Sequence, residues 1–224
     1  MLDDIKIITT EDGSNSIGFK NINEQYHSIH GAYQEALHVF INNGLIPKIS
    51  ETDNLKILEV GFGTGLNAAL TFEVIQNQKA QVQYDALEPF PLSIAVIEKL
   101  NFDKFFVNLS KKTFLEKFHQ DNIAQLIHAN FTLNVINETI ENVVLNNDYY
   151  DLIYFDAFGP NTQPELWHPP IFEKLYKYLK PDGYLVTYCA KGEVKRNLKS
   201  LGFKVVTLPG PPGKREMTKA IKLI

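Results

Sequence analysis

The pattern of hydrophobic and polar positions changes near residue 50 of the chain. From Lys56 onward, short apolar runs alternate with segments whose apolar residues recur at helical spacing. The strand-like runs are residues 56–60, 82–87, 131–136, 150–155, 184–189, 203–208 and 217–224. The helical runs are residues 66–76, 92–100, 172–179 and 193–201. This alternation predicts an α/β fold of βαβ units around a mostly parallel, doubly wound sheet.

The first 50 residues follow a different pattern. Residues 5–9 and 16–19 are short apolar runs on either side of Asp12-Gly13, a pair that favours a tight hairpin turn. Residues 32–42 have apolar positions at helical spacing, and Gly44 is the expected stop signal. We therefore predict an N-terminal hairpin-plus-helix extension, residues 1–50, in one unit with an α/β domain of residues 51–224.

Composition excludes several classes of protein. With 224 residues, 44% hydrophobic and 21% charged, the chain resembles an ordinary globular protein. No apolar run approaches the roughly 20 residues of a membrane span, and no secretory signal opens the chain, so we expect a cytoplasmic protein. Cys189 is the only cysteine, which excludes an internal disulfide and predicts a buried, unreactive thiol. The spacing of Asp12, His27 and His30 resembles no ligand cluster, so no metal is expected.

Charge is distributed unevenly along the chain. From Lys174 onward there are 12 Lys and Arg residues against 3 acids, a balance of +9, whereas residues 1–173 carry 10 against 23, a balance of −13. The two balances sum to the net charge of −4. This polarity indicates either a face for an anionic partner, nucleic acid included, or simply solvated Lys-rich helices.

A glycine loop follows the first strong strand and opens a helix, in the run Glu59-Val-Gly61-Phe-Gly63-Thr-Gly65-Leu-Asn67. The third glycine of a dinucleotide fingerprint is replaced here by Leu66, and the Gly-Lys-Ser/Thr of a phosphate-binding P-loop is missing from the chain. Glu88 ends the next strand, where an acid accepts hydrogen bonds from ribose hydroxyls. These features favour an adenosine ligand without phosphates, and S-adenosylmethionine is the candidate.

Polar residues also follow the third and fourth strands of the predicted sheet. Asn137, Glu138 and Thr139 stand where a side chain would bond the exocyclic amine of adenine. Asp156 places a carboxylate at the centre of the carboxyl edge, and Gly159-Pro160 after it indicates a shaped loop. A solvated loop acid is the alternative for Asp156.

Several sequence blocks together resemble one family. They are the glycine loop at 59–67, Leu-Glu-Pro-Phe-Pro at 87–91, Phe-Asp-Ala-Phe-Gly-Pro at 155–160, Pro-Gly at 209–210 and Lys-Arg-Glu-Met at 214–217. The chain resembles, from about residue 11 to about residue 217, the methyltransferase of bacterial tRNA wobble-uridine modification, the MnmC amino-terminal domain or its stand-alone form MnmD. The resemblance implies a Rossmann-like, class I S-adenosylmethionine-dependent methyltransferase fold.

The resemblance also implies an activity. A methyl group would pass from S-adenosylmethionine to the 5-aminomethyl nitrogen of a wobble 2-thiouridine in tRNA, giving 5-methylaminomethyl-2-thiouridine. Bifunctional relatives add a flavin-dependent oxidase domain, for which a chain ending at Ile224 has no room, so we expect an aminomethyl substrate from another route. The chain departs from the family at Pro89, where relatives often carry a basic residue, and at Asn137-Glu138, where Gly-Asp is more usual.

Site residues follow from the motifs and the resemblance. Asp156 is the candidate catalytic residue, holding the amine and accepting its proton. The candidate cofactor contacts are Tyr26, Gly61, Gly63, Gly65, Leu66, Asn67, Glu88, Glu138 and Thr139. The candidate aromatic walls for a flipped-out base are Phe158, Trp167 and Tyr188, with core packing as the alternative for each. The candidate phosphate contacts are Lys191, Lys195, Arg196, Lys214 and Arg215, with solubility as the alternative.

Other functions remain open at this stage. An aminopropyl transferase of the spermidine-synthase type shares the fold, but it would carry an acid in the glycine loop where Thr64 stands. A methyltransferase for a small-molecule amine and an inactive S-adenosylmethionine-binding module are further alternatives. The intact loop, Glu88 and Asp156 argue against lost catalysis, and the basic tail favours a polyanionic substrate. Residues 101–129 have little to align and are expected to form one or two helices over the site.

Overall fold

The N-terminal extension is a hairpin followed by a long helical segment. The computed structural model describes residues 5–20, 24–119 and 123–223. Strands β1 (Ile5–Thr9) and β2 (Asn15–Phe19) pair antiparallel, as predicted. Helix α1 (Ala32–Ala36) then continues through a π-helical segment (Leu37–Leu45) into α2 (Ile46–Ile49).

Gly44 does not end this helix, which corrects the expectation from sequence. It lies inside the π-helical segment, where a Cβ atom would come 3.1 Å from the ring of Tyr154 and 3.2 Å from Val186. Its carbonyl oxygen accepts a hydrogen bond of 2.6 Å from the Tyr184 hydroxyl. The glycine therefore permits close packing of the helix on the sheet, and the helix continues because that contact stabilises it.

The α/β part alternates strands and helices as predicted, with shifts of a few residues at the ends. Its strands are β3 (Asn54–Val60), β4 (Gln81–Leu87), β5 (Gln125–His128), β6 (Phe131–Ile136), β7 (Tyr150–Phe155), β8 (Leu179–Thr187), β9 (Phe203–Pro209) and β10 (Glu216–Lys222). Its helices are α3 (Leu66–Ile75), α4 (Ile94–Ile97), α5 (Lys111–Lys117), α6 (Pro169–Tyr178) and α7 (Gly192–Ser200), with short 3₁₀ turns at Phe102–Lys104 and Pro164–Trp167.

The strands of residues 54–222 form one mixed sheet. Within the described residues its order is β5-β6-β4-β3-β7-β8-β10-β9. The five strands from β6 to β8 are parallel, while β5, β9 and β10 run antiparallel to their neighbours. The chain leaves β3 toward β4 on one side and returns to β7 on the other. A crevice therefore opens at the carboxyl ends of β3 and β7, where ligands bind in such sheets.

Strand β5 is the element that the sequence pattern missed. Residues 101–129 were expected to be helical, and they contain a 3₁₀ turn, α5 and then β5. This strand has four residues at the sheet edge, and its Leu126 side chain is 63% exposed. Because a short edge strand buries few side chains, it has no clear alternation of apolar and polar positions.

The core joins the extension to the sheet. Ile17, Phe40 and Leu45 of the extension are fully buried in the same apolar cluster as Ile57 and Tyr154 of the sheet. No helix in residues 5–20, 24–119 or 123–223 is long and apolar enough to cross a membrane. The same described residues contain no group of three or more histidines, cysteines or acids able to hold a metal ion.

We expect Asp12→Ala to destabilise the extension. One carboxylate oxygen of Asp12 accepts hydrogen bonds from Thr10 Oγ1 (2.8 Å), Ser14 N (2.9 Å) and Ser14 Oγ (2.5 Å), and the other accepts one from Gln34 N (2.9 Å). Burial acts to raise the pKa of Asp12, but these hydrogen bonds outweigh it and lower that pKa overall. Loss of the shared acceptor should reduce the free energy of unfolding by about 2 kcal/mol in urea titrations.

The neighbouring Glu11→Ala is the matched control for this prediction. Glu11 forms an exposed ion pair of 3.0 Å with His30, and its removal should change stability by less than about 0.5 kcal/mol. Equal effects of the two variants would show that Asp12 does not anchor the hairpin to α1.

Candidate active site

The glycine loop crosses the carboxyl ends of β3, β4 and β7. Gly61, Gly63 and Gly65 have φ angles of +92°, +51° and +76°, which favour glycine. The Gly61 and Phe62 amides donate to the Leu87 carbonyl oxygen at 3.1 and 3.2 Å. A Cβ atom on Gly61 would lie 2.7 Å from the backbone oxygen of Asp156. The loop is therefore packed directly against the end of β7.

The N-terminal extension covers the glycine loop. A Cβ atom on Gly63 would lie 3.0 Å from the Tyr26 ring, and that ring meets Phe158 edge-on with 5.1 Å between ring centres. The His27 ring joins the extension to the loop, because its Nδ1 bonds Ser16 Oγ at 2.9 Å and its Nε2 lies 3.4 Å from Thr64 Oγ1. The extension therefore forms one wall of the site.

Glu88 supports the loop from the end of β4. Its carboxylate accepts hydrogen bonds from Gly63 N at 2.8 Å and from Phe90 N at 2.9 Å, one on each oxygen. A carboxylate at this strand end is the kind of group that accepts hydrogen bonds from ribose hydroxyls. The residue is 9% exposed. Its position is thus fixed before any ligand binds.

Two carboxylates share one amide at the centre of the site. Asn67 Nδ2 donates to Glu59 Oε1 and to Asp156 Oδ2, both at 2.8 Å. The Tyr84 hydroxyl also donates to Glu59, at 2.9 Å. Burial raises the pKa of Asp156 well above its usual value, and the charge of Glu35 raises it further. Burial likewise raises the pKa of Glu59.

Asn67 also offers an acceptor to a ligand. Its Oδ1 atom is buried and has no hydrogen-bond partner among the residues that the structure describes. A buried polar atom without a partner is costly, which favours a ligand group at this point. Together with Asp156, which lines the same cavity, Asn67 offers acceptors suited to a cationic group. The ammonium and sulfonium groups of S-adenosylmethionine are of this kind.

Two neighbouring cavities meet at the glycine loop. The loop cavity, about 60 Å³, is lined by residues 61–64, Leu66, Asn67, Asp156, Phe158 and Tyr188 among others. The Glu88 cavity, about 240 Å³, is lined by Glu88, Glu138 and Thr139 and suits an adenine ring. Both cavities are lined by Tyr26, Gly61 and Phe158. An extended adenosine ligand would therefore run from one cavity to the other across the loop.

A wide trough opens on the other side of Tyr188. It has a volume of about 600 Å³ and is lined by residues 159–162, 188–191 and 214–216, with Glu24. Tyr188 lines both the trough and the loop cavity, and its hydroxyl donates to the Ala157 carbonyl oxygen at 2.8 Å. Lys191 and Arg215 are exposed along the trough. The trough therefore carries exposed basic residues and adjoins, at Tyr188, the loop cavity that Asp156 lines.

Three residues that were expected from sequence to contact the substrate have other contacts in the structure. Trp167 is 3% exposed, packs edge-on against Phe155 and donates from Nε1 to the Phe158 carbonyl oxygen at 2.8 Å, so it supports the loop and is no free wall. Phe158 lines the loop and Glu88 cavities and is not among the residues that line the trough. Lys214 lines the trough with a side chain that is 33% exposed, but it forms an ion pair with the buried Glu35.

Other residues at the site had no assigned role from sequence. Glu59 stands in the glycine-loop block, whereas Glu35 and His27 lie in the N-terminal extension, and the chemistry of all three depends on contacts across the fold. Cys189 is buried as expected, and burial raises the pKa of its thiol. Lys195 forms an ion pair of 2.7 Å with Glu216, while its neighbour Arg196 is exposed.

Two histidines beside the loop should make the fold sensitive to acid. Burial lowers the pKa of His27 to about 4, and it lowers the pKa of His119, which packs on Phe62, to about 4 as well. A histidine in the unfolded chain titrates near 6.5, so protonation favours the unfolded state as the pH falls from 6.5 toward 4. Each histidine should cost about 1 to 2 kcal/mol of stability at pH 5.

Urea titrations at neutral and acidic pH would measure this loss. We expect His27→Gln and His119→Gln each to reduce the difference in unfolding free energy between the two pH values. His168→Gln, at an exposed position, is the control and should keep the wild-type difference. If all three variants show the same difference in unfolding free energy between the two pH values as the wild type, the two histidines are not the origin of the acid sensitivity.

Comparison with known proteins agrees with this fold. A family model described as S-adenosyl-L-methionine-dependent methyltransferase matches residues 99–223, more than half of the chain. The tRNA 5-methylaminomethyl-2-thiouridine biosynthesis bifunctional protein MnmC of Pseudoalteromonas atlantica is 29% identical over 220 residues, covering 90% of this chain and 31% of that protein. The protein of the same name from Cupriavidus metallidurans is 28% identical, covering 87% of this chain and 31% of its own length.

Solved structures share the same architecture. MnmC2 from Aquifex aeolicus superposes with a TM-score of 0.75 at 28% identity, covering 96% of this chain and 69% of that one. Spermidine synthase from Thermotoga maritima reaches a TM-score of 0.62 at 13% identity, covering 97% of this chain and 68% of that one, which shows a common fold alone. The resemblance to MnmC inferred from the motifs is confirmed, and the cofactor is S-adenosylmethionine. The chain belongs to the S-adenosyl-L-methionine-dependent methyltransferase family.

Proposed function

We propose that this chain methylates the 5-aminomethyl nitrogen of a wobble 2-thiouridine in tRNA, using S-adenosylmethionine. The names of its curated relatives support this substrate, although the chain spans only 31% of the length of the first two. The observation that carries the proposal is Asp156, a carboxylate that lines the loop cavity beside Tyr188, where the trough begins. A methyl acceptor that entered through the trough would meet the cofactor there.

The cofactor contacts follow from the two cavities. Glu88 would hold the ribose hydroxyls, and Glu138 and Thr139 would lie along the adenine. Asn67 Oδ1, on a side chain that the buried Glu59 carboxylate holds in place, would accept a hydrogen bond from the ammonium group of the methionine part. When bound, S-adenosylmethionine supplies an electrophilic methyl group on a positively charged sulfur.

The chain's own residues position the acceptor and take its proton. A primary amine is mostly protonated at neutral pH, whereas methyl transfer needs its lone pair. Asp156 would accept one proton from the ammonium group, after which the nitrogen forms its bond to the methyl carbon as the carbon–sulfur bond breaks. Burial raises the pKa of Asp156 toward the range in which a general base works best. Most of the rate enhancement would come from holding the two reactants in line.

The trough suits an RNA strand with one base turned out. Enzymes that modify a base bring it out of its stack into a pocket. Tyr188 at the head of the trough offers an aromatic surface for that base, while the exposed Lys191 and Arg215 lie where backbone phosphates would pass.

Labelled methyl transfer tests the proposal. The purified protein would be incubated with labelled S-adenosylmethionine and tRNA from a strain that lacks this modification, followed by mass analysis of the nucleosides. We expect the wobble nucleoside to gain one methyl group. If the protein binds S-adenosylmethionine but labels a small amine and no tRNA, the tRNA proposal is wrong and a small-molecule amine methyltransferase takes its place.

We expect Lys191→Met/Arg215→Met to weaken tRNA binding without slowing chemistry. Two lost phosphate contacts should raise KM about tenfold and reduce the slope of log KM against log salt by about 0.7 for each contact. The kcat should stay near the wild-type value. Steady-state kinetics at several salt concentrations measure both quantities.

Lys204→Met is the control for this pair. Lys204 is an exposed residue at the start of β9, paired with Ile221 at the sheet end away from the trough. A change in the salt slope as large as that of the double variant would mean that the effect follows net charge and not the trough.

A further inference from the structure

An ion pair lies beside Asp156 in a third cavity. Lys214 Nζ donates to Glu35 Oε1 and stands 3.9 Å from the centre of the Tyr188 ring. The cavity, about 220 Å³, is lined by Glu35, Lys214, Asp156, Tyr188 and His27 among others. Glu35 and Lys214 are 179 residues apart in sequence, and their ion pair joins α1 to the loop between β9 and β10. The fold therefore places a positive charge and its partner carboxylate in the same cavity as the candidate base.

Lys214 lines the trough, but its charge is already paired with that of Glu35. The side chain of its partner Glu35 is only 9% exposed, and Glu35 Oε2 accepts a hydrogen bond from Ser28 N at 3.0 Å. The carboxylate is thus held in place and compensates the lysine charge inside the protein. Lys191 and Arg215 instead project at the surface. Lys214 consequently needs a different explanation from its basic neighbours.

Asp156 is surrounded by groups of both signs. The titratable groups that interact electrostatically with Asp156 are Glu35, Glu59, Tyr84, Tyr188 and Lys214. Glu24 and His27 line the same cavity, and His27 is neutral above about pH 4. Burial and the Glu35 charge raise the pKa of Asp156, whereas the Asn67 hydrogen bond and Lys214 lower it. Lys214 is the one cation in this set.

We propose that Lys214, held by Glu35, is a positioning residue whose charge offsets that of Glu35 and so favours the ionised form of the Asp156 carboxylate beside the bound sulfonium and the acceptor amine. A nearby cation favours the ionised form of a carboxylate and the neutral form of an amine. Both effects prepare the acceptor for methyl transfer, since the base is charged and the nucleophile has its lone pair. This inference rests on the proposed role of Asp156 but does not require that the acceptor be tRNA.

Binding of two ligands that differ by one charge tests this role without any acceptor. S-adenosylmethionine carries a positive sulfur, and S-adenosylhomocysteine lacks both the methyl group and that charge. Their dissociation constants would be measured by calorimetry between about pH 5 and pH 8.5. The ratio of the two constants reports the charge next to the sulfur. In the wild type we expect the preference for S-adenosylmethionine to grow as Asp156 ionises, and in Asp156→Asn we expect a ratio independent of pH.

The two members of the ion pair should shift this titration in opposite directions. Lys214→Met should move the midpoint up by about one pH unit, Lys214→Arg should leave it near the wild type, and Glu35→Gln should move it down. A loss of packing alone would not produce shifts of opposite sign. In labelled methyl transfer by Lys214→Met, the midpoint of the rise of kcat with pH on the acidic side should shift upward by the same amount.

Lys222→Met is the matched control. Lys222 forms an ion pair of 2.7 Å with Asp148 and stands 4.9 Å from the centre of the Tyr176 ring, so it has the same kinds of contact away from the site. Its titration should overlay that of the wild type.

Three results would overturn the proposal. They are a Lys214→Met midpoint equal to the wild type, shifts of the same sign in Lys214→Met and Glu35→Gln, and a pH dependence that survives in Asp156→Asn. A change confined to the KM for tRNA and its salt slope would identify Lys214 as a phosphate contact. If the midpoints shift as expected but tRNA is not methylated, the proposed substrate fails and the role of Lys214 stands.

Discussion

Asp156→Asn should lower kcat for methyl transfer by about 10³-fold while the protein stays folded. The substitution keeps the size of the side chain and an oxygen that can accept the hydrogen bond from Asn67 Nδ2, now 2.8 Å long. It removes the group that is proposed to take the amine proton. Because burial raises the pKa of Asp156, its charge does not stabilise the fold, and the melting temperature should be unchanged or slightly higher. Single-turnover transfer and thermal denaturation measure the two effects.

The control for this variant is Asp148→Asn. Asp148 has a φ angle of +49°, a conformation that asparagine tolerates well, and its carboxylate forms an exposed ion pair with Lys222 away from the site. Wild-type kcat is expected. S-adenosylhomocysteine should bind both variants with wild-type affinity. A kcat within about tenfold of the wild type in Asp156→Asn would mean that another group, or water, takes the proton.

Features that depend on a few neighbouring residues were predictable from the sequence. The glycine loop, Glu88 and Asp156 each follow a strand, and a parallel sheet brings strand ends to one edge. The pairing of Val60 with Phe155 makes Gly61 and Asp156 neighbours, as the Asp156 N to Val60 O hydrogen bond of 2.9 Å shows. The placement of these residues at one edge of the sheet was therefore predictable from the order of the strands and helices alone.

Features set by packing between distant segments were not predictable. Gly44 has the local chemistry of a helix stop, but its contacts with Tyr154 and Val186 lie more than a hundred residues away in sequence. The direction of Lys214 depends in the same way on Glu35. A sequence pattern records which residues are basic or aromatic. It does not record whether a distant carboxylate has already bound the charge.

The roles of the aromatic residues show the same limit. Phe158 and Trp167 lie nine residues apart in the chain, and both were expected to face a base. Trp167 instead supports the backbone of Phe158 through the hydrogen bond from its Nε1 atom. The Phe158 ring packs against Tyr26 beside the glycine loop. Only Tyr188, which follows β8, lines both the loop cavity and the trough among these three residues. Which face of a loop is exposed depends on its tertiary support.

Gly61→Ala should abolish cofactor binding and destabilise the fold. A Cβ atom at this position would lie 2.7 Å from the Asp156 backbone oxygen and 3.2 Å from the Ala157 nitrogen, and the φ angle of +92° is strained for alanine. Because both contacts are backbone atoms, no side chain can move aside, and the loop must separate from the end of β7. We expect at least a 100-fold loss of S-adenosylmethionine affinity by calorimetry and about 2 to 4 kcal/mol of unfolding free energy.

Gly13→Ala separates backbone strain from the close contact. Gly13 has a φ angle of +83°, close to that of Gly61, but a Cβ atom there meets nothing within 4 Å. This variant should lose about 1 kcal/mol of stability from strain and keep wild-type affinity for the cofactor. If the two variants lose stability and affinity equally, backbone conformation alone explains the glycine. If Gly61→Ala alone loses affinity, the close approach of the loop to β7 is what makes the cofactor site, because it fixes the loop and Asp156 as one rigid edge.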